Sequence, residues 1–387
     1  MASFDLTYCG NVHPTPDLAA LLASLQQHTA PVARAAARGG RRFGVGAWWP
    51  MPLAQELAAS PAAMARLAAA LAAAELPLWT LNVFPLGDFH GDVVKTAVYE
   101  PDWADEQRLA YTRLCAGHAA RLVPPGSVVP LSTLPLGYRA PGAPPPDLRR
   151  MARNLARCAS AFAAIADATG VICVLALEPE PDCLLETAAA TGTFLERWLF
   201  DEGAWTTVPE AVLRRHLGVC VDLCHLAVVG EAPIAALDDL HARGIQVAKI
   251  QVSSCLEVRE PAGLDRLLTF AEPRYLHQTV AADGTRALDL DEVRRRRGEF
   301  ANAGRVRSHY HVPLFWDEPG PFGSTQAEVR GVLRHLAAST RPLPLLEVET
   351  YTWQVLGGGV LGGLAGPAPL ADRIAHELQW VAEQMKC

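Results

Sequence analysis

The sequence lacks several features that would place it in a protein class at once. Its nine cysteines are scattered through 387 residues and form no Cys-x-x-Cys pair, so we expect most of them to be small core residues in a reducing compartment. The N-terminus has no basic start followed by an apolar run. No segment offers the run of about 18 to 20 apolar residues that spans a bilayer. We therefore expect a cytoplasmic protein without membrane insertion.

An excess of positive charge is also missing. The formal net charge is −7 at pH 7, which gives no general reason to expect a nucleic-acid partner. Half of the residues are hydrophobic, enough for a large buried core. We therefore expect a globular protein with a large core and no nucleic-acid partner.

Short apolar segments alternate with longer helical ones along the chain, a pattern typical of a parallel sheet with crossover helices. The predicted strands are residues 4–9, 43–47, 78–84, 127–132, 171–177, 218–222, 246–252 and 343–349. The predicted helices are residues 17–37, 52–74, 104–122, 147–168, 207–216, 232–243, 261–269 and 369–385. Eight such units predict an α/β fold, a (β/α)8 TIM barrel. A doubly wound open sheet is the alternative, but no Gly-rich phosphate loop follows the first strand.

One interval breaks the regular spacing. About 90 residues separate the seventh and eighth predicted strands, more than one crossover helix needs. Within it, residues 275–280 and 286–290 flank Asp283-Gly284, a hairpin-like turn, and residues 305–315 form another extended segment. We predict one domain over residues 1–387, with an insert at about 270–315 that covers the barrel mouth.

Acidic and imidazole side chains close several of the predicted strands. Glu178 follows the apolar run 171–177, Asp222 ends residues 218–222 with His225 three positions later, and Glu349 ends the last strand. A carboxylate after an apolar strand is costly unless a positive group meets it. Oxygen and nitrogen donors at neighbouring strand ends suit a divalent metal, either Mn²⁺, Zn²⁺ or Mg²⁺.

Two histidines and a second acid on the last strand are further candidates for the site. His309 and His311 are two apart, so in an extended segment they share a face and could ligate one metal, or one of them could contact substrate instead. Glu347 shares a face with Glu349 and could also lie one layer lower, paired with Lys249. The predicted metal ligands are thus Glu178, Asp222, His225, His309, His311 and Glu349. The predicted substrate contacts are His13, Asn82, His90, Gln251, Glu347 and Trp353.

Several motifs resemble known families. The eight-strand pattern, Leu-Glu178-Pro-Glu-Pro, the Asp222-x-x-His225 turn and the acid on the last strand resemble the xylose isomerase-like TIM-barrel superfamily. That group includes sugar isomerases, ketose 3-epimerases, inosose dehydratases and endonuclease IV. Over almost the whole chain, segments 6–14, 80–91, 98–103, 132–138, 309–313 and 346–353 resemble EboE, a bacterial metabolite traffic protein encoded in ebo clusters. Gln251 stands where the superfamily has a histidine ligand, and only part of the trinuclear ligand set of endonuclease IV is present.

The resemblance implies a metal-dependent isomerase or epimerase that acts on a sugar- or cyclitol-like substrate, with other ebo-cluster proteins as further candidate partners. Glu178 and Glu349 would then be catalytic, removing and returning a proton while they ligate the metal. Two alternatives remain open: a metal-dependent phosphoesterase related to endonuclease IV, and a non-catalytic barrel that binds or carries a metabolite.

Overall fold

The protein folds around a parallel β-barrel. The structure, a computed structural model, describes residues 4–37, 42–87, 89–201, 207–355 and 368–386. The barrel strands are β1 (Leu6–Tyr8), β2 (Val45–Trp48), β3 (Leu78–Asn82), β4 (Val128–Thr133), β5 (Ile172–Leu177), β6 (Leu217–Asp222), β7 (Val247–Val252) and β13 (Leu345–Val348). They pair in parallel in the order β1-β13-β7-β6-β5-β4-β3-β2. The predicted eight-stranded α/β barrel is confirmed.

The two ends of this sheet meet and close the barrel. Cys9, directly after β1, pairs in parallel with Gly46 of β2. The close approach of β1 to β2 requires glycine at position 46, because a Cβ there would lie 2.6 Å from the carbonyl oxygen of Tyr8 and in contact with the Glu347 carboxylate. The alternative of an open doubly wound sheet is therefore wrong.

A second sheet lies between β7 and β13 in the sequence. Its strands are β8 (Leu256–Val258), β9 (Thr279–Ala281), β10 (Arg286–Ala287), β11 (Val306–Ser308) and β12 (Phe322–Ser324), all antiparallel, in the order β10-β9-β11-β8-β12. The predicted hairpin corresponds to β9 and β10, with Gly284 at φ 91° in its turn. Strands β8 and β12 were not predicted, and they extend the second sheet over residues 256–324. We call residues 253–325 the insert.

Helices cover the outside of the barrel and connect its strands. The described α-helices are α1 (Leu18–Ser24), α2 (Ala30–Ala37), α3 (Met51–Ala59), α4 (Pro61–Ala73), α5 (Glu106–Ala120), α6 (Leu148–Thr169), α7 (Ala188–Leu195), α8 (Glu210–His216), α9 (Leu223–Val229), α10 (Pro233–Ala242), α11 (Leu264–Leu267), α12 (Leu290–Arg295), α13 (Arg297–Asn302), α14 (Gln326–Ala338) and α15 (Leu370–Gln384). Ser60 caps α4 by accepting from the backbone N–H of Ala63 at 3.1 Å, which splits the predicted helix 52–74 into two. Helices α7, α9, α12, α13 and α14 were not predicted.

The pairing of the strands places their polar C-terminal ends side by side at the same edge of the barrel. Asp222 of β6 pairs with Gln251 of β7, and Gln251 pairs in turn with Glu347 of β13. Glu178 and Glu349 each follow directly after their strand, and their backbone N–H groups still bond to the neighbouring strand. In a parallel barrel these C-terminal ends open on the same mouth. Within the described ranges, no helix is long and apolar enough to cross a membrane.

Candidate metal centre and active site

Three carboxylates meet at the C-terminal mouth of the barrel. Glu178, Asp222 and Glu349 each place a carboxylate oxygen within 4.8 Å of the other two, and all three side chains are buried. Burial and the charges of Glu349 and Asp222 raise the pKa of Glu178 well above its usual value. Burial, with the charges of Asp222 and Glu347, raises the pKa of Glu349 to about 8. Such a cluster is stable in its charged form only with a cation among the oxygens.

Asp222 is positioned by its own helix. Its Oδ1 accepts from the backbone N–H of His225 at 2.9 Å, which caps α9, and from the Ser253 hydroxyl at 2.8 Å. Burial opposes its ionisation, but His225, His311 and these two hydrogen bonds lower its pKa below the usual value. Its Oδ2 is buried without a hydrogen-bond partner. One oxygen is therefore fixed by the fold and the other is left to face the cluster.

Three imidazoles stand beside the carboxylates, each held in one tautomer. The Nδ1 atoms of His225, His309 and His311 lie 3.0 Å from the Pro179 carbonyl oxygen, 2.8 Å from Gln278 Oε1 and 2.7 Å from the Glu349 carbonyl oxygen, respectively. Since these oxygens only accept, each Nδ1 carries the proton and each Nε2 keeps a lone pair. This is how outer hydrogen bonds orient histidine ligands in metal sites.

Two of the three Nε2 atoms face each other, and the third faces Asp222. Nε2 of His225 lies 3.2 Å from Nε2 of His309, and Nε2 of His311 lies 3.9 Å from Asp222 Oδ2 without a hydrogen-bond partner. Burial lowers the pKa of His225 to about 4, that of His309 well below the usual value, and that of His311 in the same direction. With both rings neutral, the Nε2 lone pairs of His225 and His309 face each other at van der Waals distance and repel. A cation bound to both nitrogens would remove this repulsion.

The donor set fits a divalent metal on its own chemistry. Besides Asp222 Oδ2 and His311 Nε2, the buried atoms without a hydrogen-bond partner include Glu178 Oε2 and both amide atoms of Gln251. Unpaired buried polar atoms are rare because each costs free energy. Four sets of donors lie within 4.8 Å of one another: Glu178 with Asp222 and Glu349; Asp222 with His225 and His311; Glu180 with His225 and His309; and Cys224 with His309 and His311. The mixture of oxygen and nitrogen favours Mn²⁺ or Zn²⁺ over Mg²⁺.

A cavity opens above this cluster. Glu178, His225, His309, His311 and Glu349 line its floor. The cavity has a volume of about 70 Å³, several times the roughly 10–15 Å³ that one water molecule needs. It therefore has room for a small molecule.

Four further residues complete the site and were not among the predicted site residues. The Asn11 side-chain amide donates to Glu349 Oε1 at 2.7 Å. The Tyr99 hydroxyl donates to Glu180 Oε1 at 2.7 Å, and the Gln278 amide donates to Tyr99 at 3.1 Å while its oxygen orients His309. Both Tyr99 and Glu180 line the cavity, and burial raises the pKa of Glu180 to about 8. The position of Glu180 two residues after Glu178 was the available signal.

The predicted substrate contacts divide into two groups. Asn82 lines the cavity, and Gln251 is fully buried beside Asp222. Among the described residues that line the cavity, His13, His90, Glu347 and Trp353 do not appear. His13 lies against Tyr8, with Nε2 3.0 Å from the hydroxyl, and Trp353 donates to Glu377 at 3.1 Å. His90 packs edge-on against Phe89.

Glu347 lies one layer below the carboxylate cluster. Its Oε2 is ion-paired with Lys249 Nζ, and both side chains are fully buried inside the barrel. Burial opposes the charge on Lys249, but Glu347 and neighbouring groups hold its pKa above the usual value. The alternative that pairs Glu347 with Lys249 is therefore the one observed, and Glu349 is the carboxylate at the mouth.

Comparisons with known proteins give a distant likeness. No family model matches the chain, and no curated protein matches it. An L-ribulose 3-epimerase structure aligns at 13% identity over 100% of this chain and 95% of that one, with a TM-score of 0.48. The IOLI protein with a bound zinc atom aligns at 12% identity over 99% and 98%, with a TM-score of 0.46. An AP endonuclease of family 2 from Brucella melitensis aligns at 16% identity over 65% and 79%, with a TM-score of 0.38.

Proposed function

We propose that the protein is a metal-dependent isomerase or epimerase of a small sugar- or cyclitol-like molecule. The observation that carries the proposal is the convergence of three carboxylates and three neutral imidazoles, with unpaired atoms, five of the six residues lining one small cavity. In a purely structural ion cluster the buried polar atoms pair with one another. Here several buried donor atoms have no partner within the polypeptide, as is typical of a site that binds a ligand.

The metal would be held by Glu178, Asp222 and Glu349, with Gln251 as a neutral oxygen donor, and by His225, His309 and His311 beside them. Bound there, a divalent cation would polarise adjacent carbonyl and hydroxyl oxygens of the substrate and stabilise the negative charge that develops on them. Asn11 and Asn82 lie where they could hydrogen-bond the remaining hydroxyls.

The proton transfer is assigned to Glu178 and Glu349. They follow β5 and β13, which are separated by β6 and β7, so they reach the cavity from different directions. One carboxylate removes the proton from the carbon next to the carbonyl. The other, in its acid form, returns a proton to the opposite face of that carbon for epimerisation, or to the neighbouring carbon for isomerisation.

Two-metal phosphoester hydrolysis is the second candidate, because the donors divide into an oxygen-rich set and a nitrogen-rich set. A phosphate would need cationic partners. Among the described residues that line the cavity, Lys95 is the cationic one, and it is already paired with Asp289. The isomerase is therefore preferred. The resemblance to EboE supports placing this activity in a metabolite biosynthesis or traffic pathway, with ebo-cluster proteins as partners.

The test combines metal content with proton exchange. The purified protein is stripped with chelator, reloaded separately with Mn²⁺, Zn²⁺ or Mg²⁺, and analysed by mass spectrometry. Each form is then incubated with a panel of ketoses and cyclitol ketones in deuterated water, and NMR follows deuterium incorporation beside the carbonyl. We expect exchange with at least one metal, its loss in Glu178→Gln, and its retention in Glu210→Gln, a match on the exposed side of α8.

Three outcomes would count against the isomerase. Absence of stoichiometric metal would remove the whole proposal. Full exchange in Glu178→Gln would remove Glu178 from the mechanism. Two or more metals per chain, with phosphodiester cleavage and no deuterium exchange, would favour the second candidate.

A further inference from the structure

The cavity above the metal centre has two unlike halves. Its floor is polar, whereas the wall above it is made largely of apolar side chains. This wall comprises Phe84, Phe89, Val94 and Val98 after β3, Tyr275 and Leu276 from the insert, and Tyr351 after β13. Three separate parts of the chain thus supply one apolar surface. We call this set of residues the apolar wall.

The apolar wall begins at the metal centre itself. The ring of Tyr351 lies 4.7 Å from that of His311, measured between centroids. Tyr275 lies 4.9 Å from Tyr351, and Phe89 lies 5.2 Å from Tyr275 and 5.5 Å from Tyr351. A small molecule held by oxygens on the floor therefore has its other side against these rings.

Among the described residues, most polar groups near the apolar wall are already used within the protein, the Tyr351 hydroxyl at the edge of the metal centre being the exception. The Tyr275 hydroxyl donates to the Phe89 carbonyl oxygen at 3.4 Å, the Tyr99 hydroxyl donates to Glu180, and Lys95 is paired with Asp289. A free sugar carries hydroxyls around its whole edge, and most of those that face the wall, beyond reach of Tyr351, would lose water without gaining a partner there. An apolar group in the same place releases water at no such cost.

We propose, resting on the proposed metal-dependent function, that the substrate is a sugar- or cyclitol-like molecule that carries an aryl or alkyl substituent beside its metal-chelating oxygens. The floor binds the oxygens and the apolar wall binds the substituent. Specificity then comes from the wall: a substrate with a hydroxylated tail in that position is rejected, and one with an apolar tail is retained.

Three hydroxamates test this without knowledge of the substrate, since each chelates a metal through the same two oxygens. Acetohydroxamate has a methyl tail, benzohydroxamate a phenyl tail and D-gluconohydroxamate a polyhydroxylated tail. Isothermal titration of the metal-loaded protein should show benzohydroxamate binding at least about tenfold tighter than acetohydroxamate, because of the additional apolar area buried. D-Gluconohydroxamate should bind no tighter than acetohydroxamate.

Two variants locate the effect at the apolar wall. Val98→Thr adds a hydroxyl without changing the shape, and Leu276→Asn replaces a half-buried wall residue. We expect each to weaken benzohydroxamate about fivefold and leave acetohydroxamate unchanged. Val128→Thr is the matched control: its side chain is 55% exposed at the start of β4, the end of the strand away from the mouth. It should change neither affinity.

The outcomes separate this inference from the function on which it rests. If the metal binds stoichiometrically but D-gluconohydroxamate binds tighter than benzohydroxamate, the apolar substituent is refuted and the metal centre stands. Equal loss of both small hydroxamates in Val98→Thr and Leu276→Asn would also refute it. If none of the hydroxamates binds a chain that also takes up no metal, the proposed function itself fails.

Discussion

Replacement of Lys249 by methionine is predicted to destabilise the fold by about 3–5 kcal/mol, the typical loss when one partner of a buried ion pair is removed. Lys249 and Glu347 are both fully buried inside the barrel. Without the ammonium group, the Glu347 carboxylate would remain in a nonpolar interior, and its charge already raises the pKa of Glu349 directly above it. Natural domains are stable by about 5–15 kcal/mol in total, so the loss is a large share.

Urea-induced unfolding measures this loss from the midpoint and slope of the transition. The double variant Lys249→Met/Glu347→Gln should recover most of the stability, because it removes both charges together. Lys386→Met, at an exposed position, should lie within about 0.5 kcal/mol of the parent. A single variant that loses less than about 1 kcal/mol, or a double variant no better than the single one, would show that the pair does not act as a charge-compensating unit.

Three further predictions concern the barrel mouth and the layer of side chains below it. Gly46→Ala should lower stability by about 1–3 kcal/mol in thermal unfolding, because the new Cβ meets the Tyr8 carbonyl oxygen; Gly331→Ala, with open space around it in α14, should not. The metal-free protein should lose stability as pH rises from about 6.5 through 8, a range in which the buried histidines with lowered pKa are neutral in the folded state and mostly neutral in the unfolded state. The folded-state pKa values of Glu349 and Glu180, about 8, lie above the value in the unfolded chain. The stability that their protonated forms contribute is therefore complete at low pH and is lost as the two groups ionise. A urea unfolding midpoint that rises over this pH range would contradict the prediction. Removal of the metal with a chelator should speed amide hydrogen exchange in residues 306–311 of the insert more than in α6. The reason is that His309 and His311 would connect the insert to the barrel through the metal. An equal change in both segments would contradict the proposed ligation.

The barrel could be predicted from sequence because its strands are apolar on both faces and separated by helices with clear caps. Ile172–Leu177 and Leu217–Asp222 are buried along nearly their whole length, which gives short continuous apolar runs. The ends of these runs also located Glu178 and Asp222. A local signal was therefore sufficient wherever the strand and the functional residue are adjacent in sequence.

The second sheet could not be predicted in full, because its strands are only two or three residues long. Leu256–Val258 and Phe322–Ser324 pair with each other across more than 60 residues, and neither has a periodic pattern of its own. Helix α9 was not predicted, because it is only seven residues long and begins directly after β6 without an intervening loop. Trp353 was assigned to substrate, but its partner Glu377 comes from α15, a tertiary contact that no local pattern indicates.

The two carboxylate oxygens of Asp222 have different roles, so one side chain supports both the fold and the proposed chemistry. One oxygen determines where α9 begins and therefore the height at which His225 enters the mouth. A change that shifts the cap to optimise the helix would displace an imidazole, and a change that tunes the carboxylate for a different cation would loosen the first turn. Mutations that alter the cation preference of this protein should therefore occur at Glu178, Gln251 or Glu349, which do not also cap a helix, and should leave Asp222 unchanged.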